Sequence, residues 1–394
     1  MVLPETPAAK HPWPGYTPGV TPGNEAPVSP STIQVDVEPG WRGGQRQVWL
    51  LCRGLARKGY PVVLVARRGE ELARRARAEG LDVEEIPGRG ELDLRSVLRL
   101  ARIIRDRRSA VVGCHSSRSH GLAAAAKLLL GRSAPPVLVT RRVDFPPRRD
   151  PLSRWKYLRA ADAFVAISRR VADVLIEAGI TRDGVRVVYD GVEPPRVPDG
   201  ARQAVIRELG LSPNASIVGT VGSLTDHKGH RYLLEAIPRV TAEAPETCFL
   251  LVGDGELREE LEEHARDLAL GEEHLRFLGF RTDVPRILGV LDLFVMTSHM
   301  EGLCTSIIDA NLAGVPVVAT RAGGIPELVL DGETGLLAAN RNPEDIARKI
   351  LAVLGDEELG RRLARNAMAR AEERFTAEAM IDGYLAVYHE LLRR

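Results

Sequence analysis

LFVMTSHMEGLCTSIIDANLAGVPVVAT, residues 293–320, places two carboxylates, Glu301 and Asp309, around the start of one helix. The apolar run over 291–297 reads as a buried strand. Residues 305–313 read as a helix with Ile307, Ile308 and Leu312 on one face, and 315–319 as the next strand. In a parallel sheet the turn after such a strand opens at the carboxyl edge, where ligands bind, and the free N–H groups of the helix start attract negative charge. Glu301 is expected at that mouth. Eight residues of helix span about 12 Å, which bounds the separation of the two carboxylates and matches the reach from a sugar ring to the ribose of a nucleotide sugar. One carboxylate is available for each end of such a donor.

Outward from this unit, the second half repeats one grammar. Strands over 217–221, 248–252 and 275–278 alternate with helices over 230–243 and 256–268, giving a parallel sheet. Its first strand runs into GTVGSLTDHKGH, 219–230, a glycine loop with Lys228 just before a helix. A lysine point charge beside a helix N-terminus suits a diphosphate, whose negative charge grows as a glycosidic bond breaks.

The first half carries the same rhythm. Strand 33–37 leads through a glycine turn, 38–44, to helix 45–58; strand 62–66, helix 70–79, strand 83–86, helix 94–107 and strand 110–114 follow. Helix 121–130, strands 137–140 and 163–167, helix 169–178 and strand 185–189 complete a doubly wound unit, and VVYDGVEPPRVPDG, 187–200, is a turn-rich linker. The expected organisation is a Pro/Gly-rich disordered tail over 1–30, an α/β acceptor-binding domain over 31–195, an α/β nucleotide-sugar-binding domain over 196–376 and a terminal helix over 377–394.

EGLCTSIID (301–309), followed by GVPVVATRAGGIPELV (314–329), resembles the donor-site signature of the family 4 glycosyltransferases, retaining enzymes of the GT-B fold. The resemblance covers about residues 33–392. It implies two doubly wound Rossmann-like domains facing a cleft, a nucleoside-diphosphate sugar as donor, and transfer to a hydroxyl with retention at the anomeric carbon. The family pattern is Glu, seven residues, Glu; here the second position is Asp309, one methylene shorter. By the resemblance, Glu301 orients sugar hydroxyls and Asp309 holds the ribose, while Gly302, Leu303, Cys304 and Thr305 lend backbone amides to the diphosphate. Relatives often carry Arg where Ser223 stands, paired with the lysine; its absence leaves Lys228 and the amides as the main stabilisers, with Arg281 or His227 as possible assistants. Glu301 and Lys228 are thus the expected catalytic residues. No Asp-x-Asp follows a strand of the second half, so no obligatory metal or cofactor is expected.

On the acceptor side, Gly43 and Gly44 resemble the family's glycine loop, where small residues let backbone approach the substrates. CHSSRSHG, 114–121, ends a strand at the cleft edge and offers His115 and Arg118. The next strand ends in TRRVDFPPRR, 140–149, with Arg141 and Arg142 where many relatives have a histidine. These basic groups suit a phosphorylated acceptor. RRDPLSRWKYLR, 148–159, mixes basic and aromatic residues, and Trp155 and Tyr157 are candidates for contact with an anionic bilayer.

A chain of 394 residues exceeds what one core usually serves. The net charge of +1 conceals an asymmetry: residues 31–195 hold 31 Lys+Arg against 19 Asp+Glu, and residues 196–394 hold 22 against 32. The basic half suits an anionic substrate or surface. No metal finger or RNA-binding signature accompanies it, so nucleic acid is not an expected partner. Four scattered cysteines, without C-x-x-C, fit a reducing compartment. The absence of a basic-then-apolar leader or a long apolar span leads to an expected cytoplasmic location, with peripheral contact at the inner face of the cell membrane. The resemblance thus implies a hexosyl- or related glycosyltransferase, expected in envelope polysaccharide or lipopolysaccharide assembly, with a glycan or lipid-linked acceptor. Rival readings are a nucleotide-sugar epimerase or phosphorylase of the same fold and a non-catalytic sugar-nucleotide sensor. A dinucleotide oxidoreductase is disfavoured because no strand is followed by G-x-G-x-x-G.

Overall fold

The computed structural model describes residues 30–91 and 93–393. The tail expected to be disordered lies outside them, apart from Pro30. Two wholly parallel sheets form the molecule. The first contains β1 (Thr32–Asp36), β2 (Val62–Arg67), β3 (Asp82–Ile86), β4 (Val111–Cys114), β5 (Val137–Arg141), β6 (Ala163–Ala166) and β7 (Val185–Val187), in the order β3-β2-β1-β4-β5-β6-β7. The second contains β8 (Ser216–Val221), β9 (Thr247–Val252), β10 (Leu275–Gly279), β11 (Leu293–Met296), β12 (Val317–Thr320) and β13 (Leu336–Ala338), in the order β10-β9-β8-β11-β12-β13. Helices cover both faces, which is why β9 and β11 read as near-continuous apolar runs; β1, which alternates apolar with polar residues, is likewise buried along its whole length.

In each sheet the strand order reverses beside the first strand, between β1 and β4 and between β8 and β11. Ligands bind outside the carboxyl ends of strands at such a switch point. The loops after β1, β4 and β5 therefore face those after β8 and β11. Two Rossmann-like domains facing a cleft, as expected, are present. They touch: a Cβ on Gly302 would lie 2.2 Å from the Arg142 carbonyl oxygen, so only glycine lets the β11 turn reach the β5 loop.

The C-terminal helix Ala377–Leu392 returns to the first domain. Where the chain crosses between domains, Val192 and Thr376 form a parallel bridge, with Val192 N–H donating to Phe375 O (3.0 Å) and Ala377 N–H to Val192 O (2.9 Å). Met380, Ile381, Tyr384 and Tyr388 then pack with Leu50, Leu51 and Leu55 of helix Gly43–Arg57. Each such buried side chain contributes about 1.5–3 kcal/mol. The Tyr384 hydroxyl pairs with Thr140 Oγ1 at 2.9 Å, and Gln34 Nε2 donates to Tyr388 at 3.0 Å, which fixes the helix over the ends of β1 and β5.

Several expectations shift. The first helix begins at the glycine pair rather than at Gln45, because the Gln45 side chain accepts the Arg42 N–H (3.1 Å) and closes the first turn there. β7 ends at Val187, short of the expected 189, so the following residues leave the sheet toward the cleft. Tyr157 does not face outward: it is buried, stacked on Phe164 at 5.7 Å. Residues 339–376, unread in the sequence, form helices Pro343–Leu354 and Glu357–Arg374.

Candidate active site

β8 and β11 deliver the donor-side residues together. Gly229 has φ +64°, and a Cβ there would lie 2.3 Å from Thr297 O. Thr297 Oγ1 donates to Gly229 O at 3.0 Å. This stitch between the two loops places Lys228 Nζ 2.5 Å from Glu301 Oε2, and both side chains are only 13% exposed. Burial opposes the Lys228 charge, but attraction to Glu301 outweighs it and raises the ammonium's pKa. Ser298 Oγ lies 3.3 Å from the same Oε2. Among the described residues Oε1 accepts no protein hydrogen bond and is open to a ligand hydroxyl.

The Glu301 backbone is held from both sides. Asp144 Oδ2, in the loop after β5, accepts the Glu301 N–H at 3.2 Å, and Gly324 N–H donates to Glu301 O at 2.9 Å. Gly323, with φ +49°, passes so close that a Cβ would lie 1.7 Å from Glu301 O. That contact explains the first glycine of the pair in RAGGIPEL; a Cβ on the second, Gly324, would lie 2.2 Å from Gly302 O. Leu303 and Cys304 are buried, and Cys304 gives helix Thr305–Leu312 no side-chain cap, so its first-turn amides keep a positive end toward the cleft.

Asp309 is not open as expected. It is buried and accepts a bidentate pair from Arg46 in the first domain, Nη1 to Oδ2 at 2.7 Å and Nη2 to Oδ1 at 3.1 Å. The sequence reading missed Arg46. Its signal was present: in RGGQRQ the arginine stands one helical turn after Gly43, on the same face.

The remaining expected residues divide. Ser223 stays in its own loop, with Oγ 3.3 Å from Thr225 Oγ1. His227 lies beside Lys228 with a lowered pKa, from burial first and then the neighbouring ammonium. Arg281 does not assist Lys228: its guanidinium pairs with Asp283 (2.7 Å) and Glu208 (2.8 Å). Gly43 faces the helix start across the cleft, where a Cβ would lie 3.8 Å from Thr305 Oγ1, and Gly44 lies against Arg142 at the same distance.

Arg118 is partly exposed and pairs with Glu38 at 3.2 Å. Arg141, expected to meet an acceptor, is turned inward instead, where its guanidinium donates to the Tyr157 hydroxyl (2.7 Å) and to Phe145 O. Its neighbour Arg142, just past the end of β5, lies instead at the cleft floor, 3.3 Å from Asp190. His115 Nε2 meets Gln34 Oε1 at 2.9 Å, and Nδ1 meets Arg142 Nη1 at 3.2 Å. Both contacts are satisfied by the neutral ring with its proton on Nε2. Burial, and then the Arg142 charge, lower its pKa well below the usual value. With both nitrogens engaged, His115 braces Arg142 and has no proton position left for a substrate.

Among the described residues no group of three or more His, Cys, Asp or Glu side chains is placed to hold a metal ion, and no helix is long and apolar enough to cross a membrane.

Comparison with known proteins agrees with this geometry. Residues 201–370 match the model of the glycosyl transferases group 1, and residues 41–196 that of Glycosyltransferase Family 4. The chain is 31% identical over 247 residues to the lipopolysaccharide core biosynthesis glycosyltransferase LpsE of Rhizobium meliloti, covering 63% of this chain and 68% of that one. It is 31% identical over 211 residues to the 2-deoxystreptamine glucosyltransferase of Streptomyces kanamyceticus, covering 52% of this chain and 54% of that one. It is 25% identical over 236 residues to the N-acetyl-alpha-D-glucosaminyl L-malate synthase of Bacillus anthracis, covering 60% and 61%. The match thus spans between about half and two thirds of these curated relatives. Among solved structures, Anabaena HepE in complex with UDP and glucose superposes with a TM-score of 0.80 at 21% identity over 92% of this chain and 100% of that one. A glycosyltransferase from Rickettsia africae gives 0.79 at 21% identity over 93% and 99%. With the matching family models on its two domains, two Rossmann-like sheets around a cleft and Glu301 paired with Lys228 at its mouth, the chain belongs to the GT-B glycosyltransferases.

Proposed function

We propose that this protein moves a sugar from a nucleoside-diphosphate sugar to a hydroxyl of a glycan or lipid-linked acceptor, with retention at the anomeric carbon, in envelope polysaccharide or lipopolysaccharide assembly. The observation that carries the reading is the Lys228–Glu301 pair beside the uncapped start of helix Thr305–Leu312. An ammonium has three donors; one meets Glu301, and two remain for a diphosphate. As the bond from the anomeric carbon to the phosphate oxygen breaks, the electron pair and negative charge pass to the leaving diphosphate. Lys228 and the helix amides stabilise that charge more in the transition state than in the ground state. Glu301, with Oε2 fixed by Lys228 and Ser298, presents Oε1 to the sugar hydroxyls. The acceptor oxygen attacks from the face the diphosphate leaves, and its proton goes to the departing phosphate. A closed cleft excludes water and suppresses hydrolysis of the donor.

LpsE and the Salmonella typhi Vi polysaccharide biosynthesis protein VipC/TviE support an envelope setting, and the basic first half supports an anionic acceptor. Peripheral contact with an anionic bilayer fits Leu152 and Leu158, both exposed beside Arg148, Arg149, Arg154 and Arg159, rather than the buried Tyr157. The experiment that tests the donor class is a thermal-shift panel of UDP-, GDP- and ADP-sugars. One of them is expected to raise the melting temperature of the wild type and to lose that effect in Lys228→Ala; silence across the panel overturns the reading.

A further inference from the structure

Helix Gly43–Arg57 of the first domain and helix Thr305–Leu312 of the second bring their N-termini together across the cleft. Neither carries an acidic residue in its first turn, and Gly43 stands against Thr305. One turn further along each lies a charged residue, Arg46 on one and Asp309 on the other, joined by the bidentate pair. The positive charge that the second domain brings to a donor is thin. Lys228 is shared with Glu301, Ser223 is neutral, and Arg281 is held by Glu208 and Asp283. A diphosphate lying between the two helix starts needs a further cation, and Arg46 is placed to supply it.

From this juxtaposition we infer that Arg46 is a donor-binding residue, contributed by the acceptor domain, that contacts the diphosphate of the nucleotide sugar while Asp309 holds both its guanidinium and the ribose. The inference rests on the donor class proposed above. Arg46 commits one hydrogen from each Nη to Asp309, which leaves Nε–H and two further Nη hydrogens for phosphate oxygens. Asp309 accepts two hydrogen bonds from Arg46 and has lone pairs remaining for ribose hydroxyls. The Arg46 side chain is 33% exposed and so within reach of a ligand in the cleft. Because the arginine belongs to one domain and the nucleotide site to the other, the phosphates gain this contact only when the cleft is closed. The charge that stabilises the leaving group then arrives together with exclusion of water.

The test is calorimetric titration with UDP, GDP and ADP and with the corresponding nucleosides, on wild type, Arg46→Met, Arg46→Lys, Asp309→Asn and the Arg46→Met/Asp309→Asn double variant. The quantity read is the ratio of diphosphate to nucleoside affinity, which a merely structural role does not move. In Arg46→Met that ratio is expected to fall about tenfold or more, the range of a charge-assisted hydrogen bond, with Arg46→Lys in between and the double variant as low as Arg46→Met. An unchanged ratio in Arg46→Met overturns the inference. So does recovery of the ratio in the double variant, which would reduce Arg46 to a counter-charge for Asp309. Failure of every diphosphate to bind the wild type overturns the donor class itself, and the inference with it.

Discussion

Replacing Lys228 by methionine, alone and together with Glu301→Gln, separates what the buried pair does for stability from what it does for the reaction. Lys228 and Glu301 are 2.5 Å apart and 13% exposed, so removing the ammonium strands a carboxylate whose remaining side-chain partner is Ser298 Oγ at 3.3 Å. Breaking a buried pair from one side costs about 3–5 kcal/mol, and the residual exposure places this case near the lower end. The second substitution removes the stranded charge. The double variant should therefore regain about 2 kcal/mol relative to Lys228→Met. Function should not follow. Two ammonium hydrogens remain for the diphosphate of the proposed donor, and their loss is expected to weaken nucleoside-diphosphate binding by about 10- to 100-fold and to lower turnover further, because the leaving group carries more charge in the transition state. Urea denaturation measures the first quantity; calorimetry and release of nucleoside diphosphate from the donor measure the second. Recovery of nucleoside-diphosphate affinity along with stability in the double variant would refute the reasoning, since Lys228 would then serve only to neutralise Glu301.

Acid should destabilise the fold through its buried histidines. His120, packed edge-on against the stacked Tyr157 and Phe164 rings, has its pKa lowered to about 3 by burial and then by Lys156. The folded state thus binds fewer protons than the unfolded chain, and stability is lost as pH falls below about 6.5. Relative to His120→Phe, the wild type should lose about 2 kcal/mol between pH 7 and pH 5 in urea melts, and equal pH slopes would contradict this. Gly323→Ala meets both a positive φ and the Glu301 carbonyl, so it should cost at least about 1–3 kcal/mol and depress turnover by displacing Glu301; a variant with wild-type melting and rate would show that the turn relaxes freely. Arg118→Ala should raise the apparent acceptor constant with donor affinity nearly unchanged, and added salt should mimic it by screening over about 8 Å at physiological ionic strength. Salt-insensitive acceptor saturation would favour a neutral acceptor.

Periodicity carried the two sheets because parallel strands buried on both faces write themselves as short apolar runs between amphipathic helices. The stretch over 293–320 gave the donor strand, turn and helix to within two residues at each boundary. What one dimension hides is pairing across the cleft. Nothing adjacent to Asp309 in the chain announces that Arg46, 263 residues earlier, engages both of its oxygens. Nor does the dipeptide Arg141-Arg142 announce which member meets the buried Tyr157 hydroxyl; β5 ends at Arg141, and Arg142, just beyond it, joins His115 and Asp190 at the cleft floor. Arg281 looked available in part because one of its partners, Glu208, lies on helix Ala201–Leu209, a segment to which the sequence reading assigned no element. The glycines of RAGGIPEL resembled a signature, and the physical reason is the closeness of Gly323 to the Glu301 carbonyl.

The most direct test of the central claim is single-turnover transfer from an isotope-labelled nucleotide sugar, chosen from the UDP, GDP and ADP panel, to a glycan or lipid-linked acceptor. Wild type and Glu301→Gln are compared, and the anomeric configuration of the product is read by NMR. The wild type is expected to transfer the label with the configuration of the donor kept. Glu301→Gln is expected to bind the nucleoside diphosphate and yet transfer at least about a hundredfold more slowly, because an amide cannot accept hydroxyl hydrogen bonds at both of its positions. Transfer at the wild-type rate by a folded Glu301→Gln variant, or a product of inverted configuration, would contradict the account.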